Sequence, residues 1–249
     1  MPGSSFTVCL LGSLVRVRAG SAACAAARRL WRGSLTEEAA TADITVDLSL
    51  AIAPALADIA TRLNALVLEN CHPLTVHAGV VATANRAIAL PAVSGAGKST
   101  LVAACLLAGF EYLSDEALHV GPGGHAVPYP RPLGLSDDSA ARLSVADRGV
   151  SAGDERLIAP EDLGVVAKEP ALVRHVVALD RRAGSTASLE RMTEADTVHL
   201  LLTHSFNHYL APQEAMAAAA RIAAGAGAWR LSYGEAVEAA GLLSSLAQR

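Results

Sequence analysis

The sequence contains an apolar segment of strand length that leads through a glycine-rich loop directly into a helix-forming segment. Residues 87–93 are apolar and of strand length, and residues 98–107 have a helix-forming composition. The loop between them reads Ser94-Gly-Ala-Gly-Lys-Ser-Thr100. A strand, a loop and a helix in this order predict an α/β fold built around a phosphate-binding loop, or P-loop.

Each residue type in this loop has a chemical role in a triphosphate site. Such a site needs inward-facing backbone N–H groups, a helix N-terminus, an ammonium group near the β and γ oxygens, and a hydroxyl on the metal. Gly95 and Gly97 allow the loop dihedrals, Lys98 supplies the ammonium group, and Ser99 is the predicted Mg²⁺ ligand. The predicted nucleotide-binding residues are Ala92, Val93, Ser94, Gly95, Ala96, Gly97, Lys98, Ser99 and Thr100.

The loop departs from the usual GxxxxGK[ST] pattern at its first position, where Ala92 replaces glycine. This change affects the point where the chain leaves the strand, and the part of the loop that contacts phosphate keeps the usual pattern. The competing interpretation is a Gly/Ser-rich turn with an incidental lysine. The strand before the loop and the helix after it favour phosphate binding.

Two carboxylates follow the next predicted strand, residues 110–113. Asp115 and Glu116 therefore come where acidic side chains can meet the Mg²⁺ held by Ser99. A carboxylate close to an acceptor hydroxyl can also take its proton during phosphoryl transfer. The alternative, that these strand-end residues only face solvent, stays open for both.

Charge and composition exclude several classes of partner. The chain has 249 residues, of which 52% are hydrophobic and 18% charged, and its formal net charge is −4. Because it contains no Lys/Arg run, we expect neither nucleic acid nor an anionic membrane surface as a partner. Residues 1–11 lack the basic region of a secretory signal, and charged residues interrupt every apolar window of spanning length. These patterns predict a cytoplasmic protein without a membrane span.

Along the chain, the patterns predict two parts. Residues 1–70 read as a small N-terminal α/β portion, and residues 71–249 as the nucleotide-binding catalytic domain. A stretch from about 128 to 170 is rich in Pro, Gly, Ser and Asp, which predicts a loop-dominated segment, with room for a short helix, that serves as a substrate lid. Residues 193–210 and 214–225 are predicted helices. The four cysteines form no CxxC pair and are expected to be buried, reduced thiols.

Four stretches together resemble the C-terminal kinase domain of HPr kinase/phosphorylase, and in particular its shorter HprK-related relatives. They lie between about residues 74 and 135 and are more specific than a P-loop alone. They read Val76-His-Ala-Gly-Val80, Ser94 to Thr100, Ala108-Gly-Phe-Glu-Tyr-Leu-Ser-Asp-Glu116 and Pro128-Tyr-Pro-Arg-Pro132. The resemblance implies a P-loop kinase of the HPr kinase/PEP carboxykinase-like type that uses ATP and Mg²⁺.

The resemblance also implies roles for individual residues. The family's active-site histidine would be His77, its phosphate-binding lysine Lys98 and its general-base aspartate Asp115, while Glu116 stands where the family commonly has a second Asp. Without the resemblance, a lone histidine in an apolar strand is usually a hydrogen-bonded core residue. Arg131 is flanked by prolines, so it either clamps a phosphate or substrate carboxylate or belongs to a rigid surface turn.

One part of the family pattern is missing. The chain has no Leu-Glu-Ile-Arg-Gly signature, with which true HPr kinase/phosphorylases supply another metal carboxylate. HPr is therefore disfavoured as the substrate. The relatives include kinases of lasso peptides and of free serine. The acceptor that the resemblance implies is therefore a hydroxyl, that of serine in the family's pattern, on a peptide, carrier protein or small molecule. The family's frequent oligomers leave a homo-oligomer open.

Three alternatives remain at this point. A nucleotide-binding regulator or scaffold with little transfer activity would use the same loop, and GTP or pyrophosphate could replace ATP as the donor. His204 and His208, four residues apart on the predicted helix, could share a zinc ion, but no neighbouring Cys, Asp or Glu completes a ligand set.

Overall fold

The computed structural model describes residues 3–68, 71 and 73–248, which form a mixed α/β structure with seven α-helices. Contacts divide the chain into two compact units. The first comprises Met1–Asn70 and Pro130–Leu163, and the second comprises Cys71–Tyr129 and Gly164–Arg249. The predicted division at residue 70 treated the chain as two consecutive segments, whereas the contacts place residues 130–163 with the N-terminal segment.

The first unit begins with a β-hairpin. Strands β1 (Gly3–Leu10) and β2 (Ser13–Gly20) are antiparallel, and β3 (Ala42–Thr45) pairs with β2 in parallel. Helix α1 (Ser21–Leu30) packs on the hairpin and against α2 (Ile52–Leu68). The small α/β portion expected at the N-terminus is therefore present in the fold of this unit.

The second segment of this unit is more ordered than its sequence suggested. It contains a three-stranded antiparallel sheet of β9 (Leu133–Ser136), β10 (Val150–Ala152) and β11 (Glu155–Ile158), and the short helix α4 (Asp137–Arg142). The short helix was expected in this stretch, which is otherwise largely irregular, whereas the three strands were not expected, because strands of three or four residues are too short to show a period-2 pattern. The lid role stays a prediction.

The second unit is built on an eight-stranded mixed sheet. Seven strands follow the order β13-β14-β12-β5-β4-β7-β8, and β6 also pairs with β4. Strand β12 runs parallel to β5 and β14, and the remaining pairs are antiparallel. The strands span β4 (Leu74–Thr83), β5 (Arg86–Pro91), β6 (Glu111–Ser114), β7 (Ala117–Val120), β8 (His125–Val127), β12 (Ala171–Arg181), β13 (Ser188–Arg191) and β14 (Gly227–Tyr233).

Four helices pack on this sheet in two pairs. Helix α3 (Lys98–Leu107) packs against α7 (Ala236–Ala247), and α5 (Glu194–Thr203) packs against α6 (Pro212–Gly225). Side chains of β4 alternate between the pairs, as the period of a strand requires. Val76, Ala78 and Val80 share a buried core with Leu201 and Ala218 of the α5–α6 pair. The intervening residues of β4 therefore point to the α3 side.

Gly79 gives the first testable prediction, because it lies on that α3 side. A Cβ at Gly79 would lie only 2.6 Å from Cγ2 of Val102 on α3. Gly79→Ala is expected to lower the free energy of unfolding by ~1–3 kcal/mol through overpacking. The matched control is Gly241→Ala in α7, where nothing lies within 4 Å of an added Cβ; it should raise stability by ~0.5–1 kcal/mol.

Urea denaturation of the three proteins measures both effects. Equal or greater stability of Gly79→Ala relative to the wild type would show that β4 and α3 do not pack as closely as described.

Two further expectations concern membrane-spanning helices and the cysteines. None of the helices in the described residues is long and apolar enough to cross a membrane. Cys24, Cys71 and Cys105 are buried as expected, whereas Cys9 is exposed. Burial raises the pKa of the Cys105 thiol to about 12, so this thiol is protonated and unreactive at neutral pH.

Candidate functional site

The glycine-rich loop joins the C-terminal end of β5 to the N-terminus of α3. Strand β5 ends at Pro91 and α3 begins at Lys98. Gly95 and Gly97 have φ angles of 79° and 90°, which side-chain-bearing residues rarely adopt. The first backbone N–H groups of a helix have no acceptor within the helix, so the α3 terminus offers donors to an anion in the loop.

Ala92, the departure from the usual loop pattern, fits the strand exit without backbone strain. It does not have a positive φ, so it does not need the conformational freedom of glycine. Its side chain is buried, and its N–H donates to the carbonyl of His77 at 3.3 Å. The loop entrance is thereby fixed to strand β4.

Lys98 is folded back onto the loop. Its Nζ donates to the carbonyl oxygens of Ala92 at 3.1 Å and Val93 at 3.0 Å, and the residue is only 6% exposed. Burial lowers the pKa of Lys98, while the negative charges of Glu116 and Asp115 oppose this shift. The ammonium group therefore lies inside the loop, close to both carboxylates.

Asp115 lies beside the start of α3. Its Oδ2 accepts a hydrogen bond from Ser99 Oγ at 3.0 Å. Its Oδ1 accepts a hydrogen bond from the Tyr112 hydroxyl at 3.0 Å, and its own N–H donates to the same hydroxyl at 3.1 Å. With 4% of the residue exposed, this carboxylate is held in one orientation. The structure thus brings the predicted metal hydroxyl and the predicted base together.

A tight turn after β6 positions the second carboxylate. Ser114 Oγ accepts hydrogen bonds from the N–H groups of Glu116 at 3.1 Å and Ala117 at 2.9 Å. The carbonyl of Glu116 then accepts from the N–H of Ala78 on β4 at 3.1 Å. Glu116 Oε1 lies 3.8 Å from His77 Nε2. The two residues therefore form a charge-coupled pair when the imidazole is protonated.

His77 is also connected to the segment that follows α5. Its N–H donates to the carbonyl of His204 at 2.8 Å, and its ring lies 5.4 Å from the ring of Phe206. The structure brings His77, Lys98, Ser99, Asp115 and Glu116 together in the second unit, around the end of β5. Their chemical roles stay predictions.

Arg131 belongs to the first unit, where it is half-buried. The structure gives no position for it relative to the loop, and its predicted role in substrate binding stays a prediction.

The premise of the zinc alternative was wrong. Helix α5 ends at Thr203, so His204 is its C-cap and His208 lies beyond the helix. The two imidazoles therefore do not share a helical face. Among residues 3–68, 71 and 73–248, no group of three His, Cys, Asp or Glu side chains is placed to hold a metal ion.

The donor set at the loop suits magnesium better than a soft metal. Ser99 Oγ and Asp115 Oδ2 are hard oxygen donors 3.0 Å apart. Mg²⁺ commonly takes one or two protein oxygens and keeps water and phosphate oxygens as its other ligands, so it needs no complete protein cage. A hydroxyl and a carboxylate at the helix N-terminus fit this requirement.

Two residues near the loop were not predicted from the sequence. Tyr112 makes two of the hydrogen bonds that orient Asp115, and its only signal was its position three residues before that aspartate. Arg181, at the end of β12, has its Cδ 3.4 Å from the position of a Cβ on Gly97. No local motif marks Arg181, because the parallel pairing of β12 with β5 brings it to the loop.

Comparison with known proteins adds no family assignment. No protein-family model matches the chain, and no curated protein is significantly similar to it.

Proposed function

We propose that this chain is an ATP- and Mg²⁺-dependent phosphotransferase of the HPr kinase-like type. It would transfer the γ-phosphoryl group to a hydroxyl of a peptide, carrier protein or small molecule. The observation that carries the proposal is the hydrogen bond between Ser99 at the start of α3 and Asp115 after β6, next to the buried Lys98. A glycine-rich turn without a nucleotide would need neither the buried lysine nor the oriented carboxylate.

Nucleotide binding follows from the loop. Backbone N–H groups of residues 95–100 would hold the phosphates, and the Lys98 ammonium would exchange its bonds to loop carbonyls for phosphate oxygens. Ser99 and Asp115 would hold Mg²⁺, which neutralises charge on the β- and γ-phosphate oxygens when it is bound with ATP.

Phosphoryl transfer requires a base that is positioned to take the proton of the acceptor hydroxyl. The acceptor oxygen forms a bond to the γ-phosphorus while the bond from that phosphorus to the β–γ bridging oxygen breaks, so ADP leaves with the bond's electron pair. Asp115 takes the proton of the acceptor hydroxyl. His77, next to Glu116, would orient that carboxylate or contact the phosphates.

The test is transfer of label from γ-labelled ATP with Mg²⁺ to a panel of hydroxyl acceptors. Lys98→Ala should reduce transfer by about 100- to 1,000-fold, because it removes a preorganised cation from the phosphates. The other lysine of the chain, the exposed Lys168, provides the matched control, and Lys168→Ala should transfer at the wild-type rate.

The same assay separates the kinase from a nucleotide-binding regulator, which Ala92 and the missing Leu-Glu-Ile-Arg-Gly signature favour. A kinase yields a phosphorylated acceptor that depends on Lys98. A regulator binds nucleotide and gives no label on any acceptor, or only free phosphate, and that result would replace the kinase proposal.

A further inference from the structure

The phosphate-binding loop has a second flank, which is formed by the ends of β12 and β14. Strand β12 pairs in parallel with β5 on one side and with β14 on the other. The carboxyl ends of these three strands therefore lie at the same edge of the sheet, where ligands of α/β proteins commonly bind. Strands β12 and β14 end at Arg181 and Tyr233, which are opposite each other in the register.

The side chains of Arg181 and Tyr233 meet the loop at Gly97, the residue before Lys98. A Cβ at position 97 would lie 3.2 Å from the Tyr233 hydroxyl and 3.4 Å from Cδ of Arg181. Gly97 is also the N-cap of α3. The two side chains therefore stand beside the helix N-terminus that is proposed to hold phosphate, and a nucleotide in the loop would lie close to both.

The Tyr233 hydroxyl is a buried polar group that has no hydrogen-bond partner among the described residues. The residue is 1% exposed. Such a group costs free energy unless a ligand or water satisfies it. Burial raises the pKa of Tyr233 to about 12, so the phenol stays protonated and can donate a hydrogen bond. A phosphate oxygen next to Gly97 would supply the missing acceptor.

Arg181 carries a positive charge that no carboxylate balances. Its side chain is exposed, and within the described part of the chain no carboxylate comes within salt-bridge distance of its guanidinium. This charge acts on the Tyr233 hydroxyl, because it opposes the effect of burial on the pKa of the phenol. A guanidinium in this position is suited to bind phosphate oxygens in two-pronged geometry.

The neighbouring Arg182 is bound differently. Its Nη2 lies 2.7 Å from Asp180 Oδ2, and its Nε donates to Asp180 Oδ1 at 3.0 Å. This hydrogen bonding is the main reason why the pKa of Asp180 is lowered, and the charge of Arg230 adds to the effect. Arg182 is therefore engaged with a carboxylate, whereas Arg181, one position earlier, is not.

The charges around the loop favour a further cation at the bound phosphates. Lys98 supplies one positive charge, and the negative charges of Asp115 and Glu116 act on it. A triphosphate in the loop would need more positive charge than this lysine and Mg²⁺ provide together with two carboxylates. The carboxylates follow β6, which pairs with β4, while Arg181 lies on the opposite side of β5. The phosphates would lie between these two sides.

We propose that the donor lies across the carboxyl end of β5, with its terminal phosphate toward Asp115 and its remaining diphosphate toward Arg181 and Tyr233. The inference rests on the proposed phosphotransferase function and names the residues that hold the leaving group. Arg181 binds oxygens of the diphosphate, and the Tyr233 hydroxyl donates a hydrogen bond to one of them. Because the diphosphate is common to substrate and product, both residues contribute to the binding of ATP and of ADP.

Calorimetric titrations of the full chain measure the contribution of Arg181. The probes are MgATP, MgADP and the magnesium complex of inorganic tripolyphosphate, which has no nucleoside. Arg181→Gln should raise Kd for all three by at least about tenfold, since it removes charge-assisted hydrogen bonds, and Arg181→Lys should raise it less. The matched control is Arg182→Gln, which removes the charge one position further along and should keep each Kd within about twofold of the wild type.

Tyr233→Phe tests the hydroxyl. Because this group has no partner in the free protein, its removal should leave Tm without nucleotide equal to or above that of the wild type. Kd for MgADP should rise by about 3- to 10-fold, because the bound diphosphate loses a donor. A lower Tm without nucleotide, or an unchanged Kd, would show that the hydroxyl does not serve the ligand.

The wild-type titrations keep the failure of this inference apart from the failure of the proposed function. If the wild type binds MgATP and Arg181→Gln binds it as tightly as Arg182→Gln does, the inference is wrong and the loop remains the nucleotide site. A loss of affinity for the nucleotides alone, or no binding of tripolyphosphate by the wild type, would also overturn it. If the wild type does not bind MgATP, the proposed function fails and the inference fails with it.

Discussion

Asp115→Asn is expected to keep nucleotide binding and to lose phosphoryl transfer. The amide is close in size to the carboxylate, and its oxygen can still accept a hydrogen bond from Ser99 or Tyr112, so the loop should keep its structure. The amide cannot take a proton from an acceptor hydroxyl. Loss of a general base typically lowers the rate by 10²–10⁴-fold, so we expect kcat to fall by about 10³-fold.

Two measurements on the same preparation test this expectation. Calorimetric titration with ATP should give a dissociation constant close to that of the wild type, and transfer of γ-label should be nearly absent. The matched control is Asp154→Asn, which changes an exposed aspartate in a turn of the first unit. Transfer by Asp115→Asn at more than about a tenth of the wild-type rate would contradict the assignment of Asp115 as the base.

Tyr112→Phe tests whether Tyr112 acts on transfer only by holding the Asp115 carboxylate in position. The phenol accepts the N–H of Asp115 and donates to its Oδ1, so its removal loosens the carboxylate without changing its charge. A smaller loss of transfer than in Asp115→Asn would show that Tyr112 positions the base and does not replace it.

The centre of the site could be predicted because its signals are local. The apolar run before the loop became β5, the loop glycines have positive φ, and the helix begins at Lys98 as its composition indicated. The proximity of Ser99 and Asp115 was also expected, because Asp115 directly follows the strand that comes after the P-loop helix. In each case the residues that decide the structure lie within about 20 positions of one another.

The end of α5 could not be predicted from its apolar pattern. Residues 193–210 were expected to be helical throughout, but the helix ends at Thr203. Ser205 Oγ accepts hydrogen bonds from the N–H groups of Asn207 and His208 at 3.2 and 3.0 Å. Such local side-chain bonds compete with the helical ones. The chain therefore leaves the helix and runs along β4, which brings His204 to His77.

The proximity of Arg230 and Asp180 could not be predicted for a different reason. Arg230 and Asp180 lie on strands whose parallel pairing joins segments about 50 residues apart, and no motif in either segment indicates the partner. The sequence patterns did not indicate β14, so nothing in the sequence placed Arg230 beside strand β12. Long-range sheet pairing alone brings these two residues together.

Asn207 holds the segment after α5 against β4, and its replacement by Leu is expected to destabilise the protein strongly. The residue is 1% exposed, its Oδ1 accepts the N–H of Thr75 at 2.9 Å, and its Nδ2 donates to the carbonyl of Cys71. Leucine has similar volume but leaves the Thr75 N–H buried without its acceptor, and leaves the Cys71 carbonyl with the longer bond from the Thr75 hydroxyl at 3.4 Å. The expected loss is roughly 2–5 kcal/mol, since each such group costs ~1–3 kcal/mol.

Thermal unfolding followed by circular dichroism measures this loss. For a chain of this size, 1 kcal/mol corresponds to about 2–4 °C, so Asn207→Leu should lower Tm by roughly 5–15 °C. The exposed neighbour His208 serves as the control, and His208→Ala should leave Tm almost unchanged. Because the same segment supplies the carbonyl that holds His77, transfer by Asn207→Leu should also fall at temperatures where the variant is still folded. If Asn207→Leu has the Tm of the wild type but a lower transfer rate, Asn207 contributes to the site and not to stability. If its Tm and its transfer rate both equal those of the wild type, the buried hydrogen bonds of Asn207 contribute neither to stability nor to transfer.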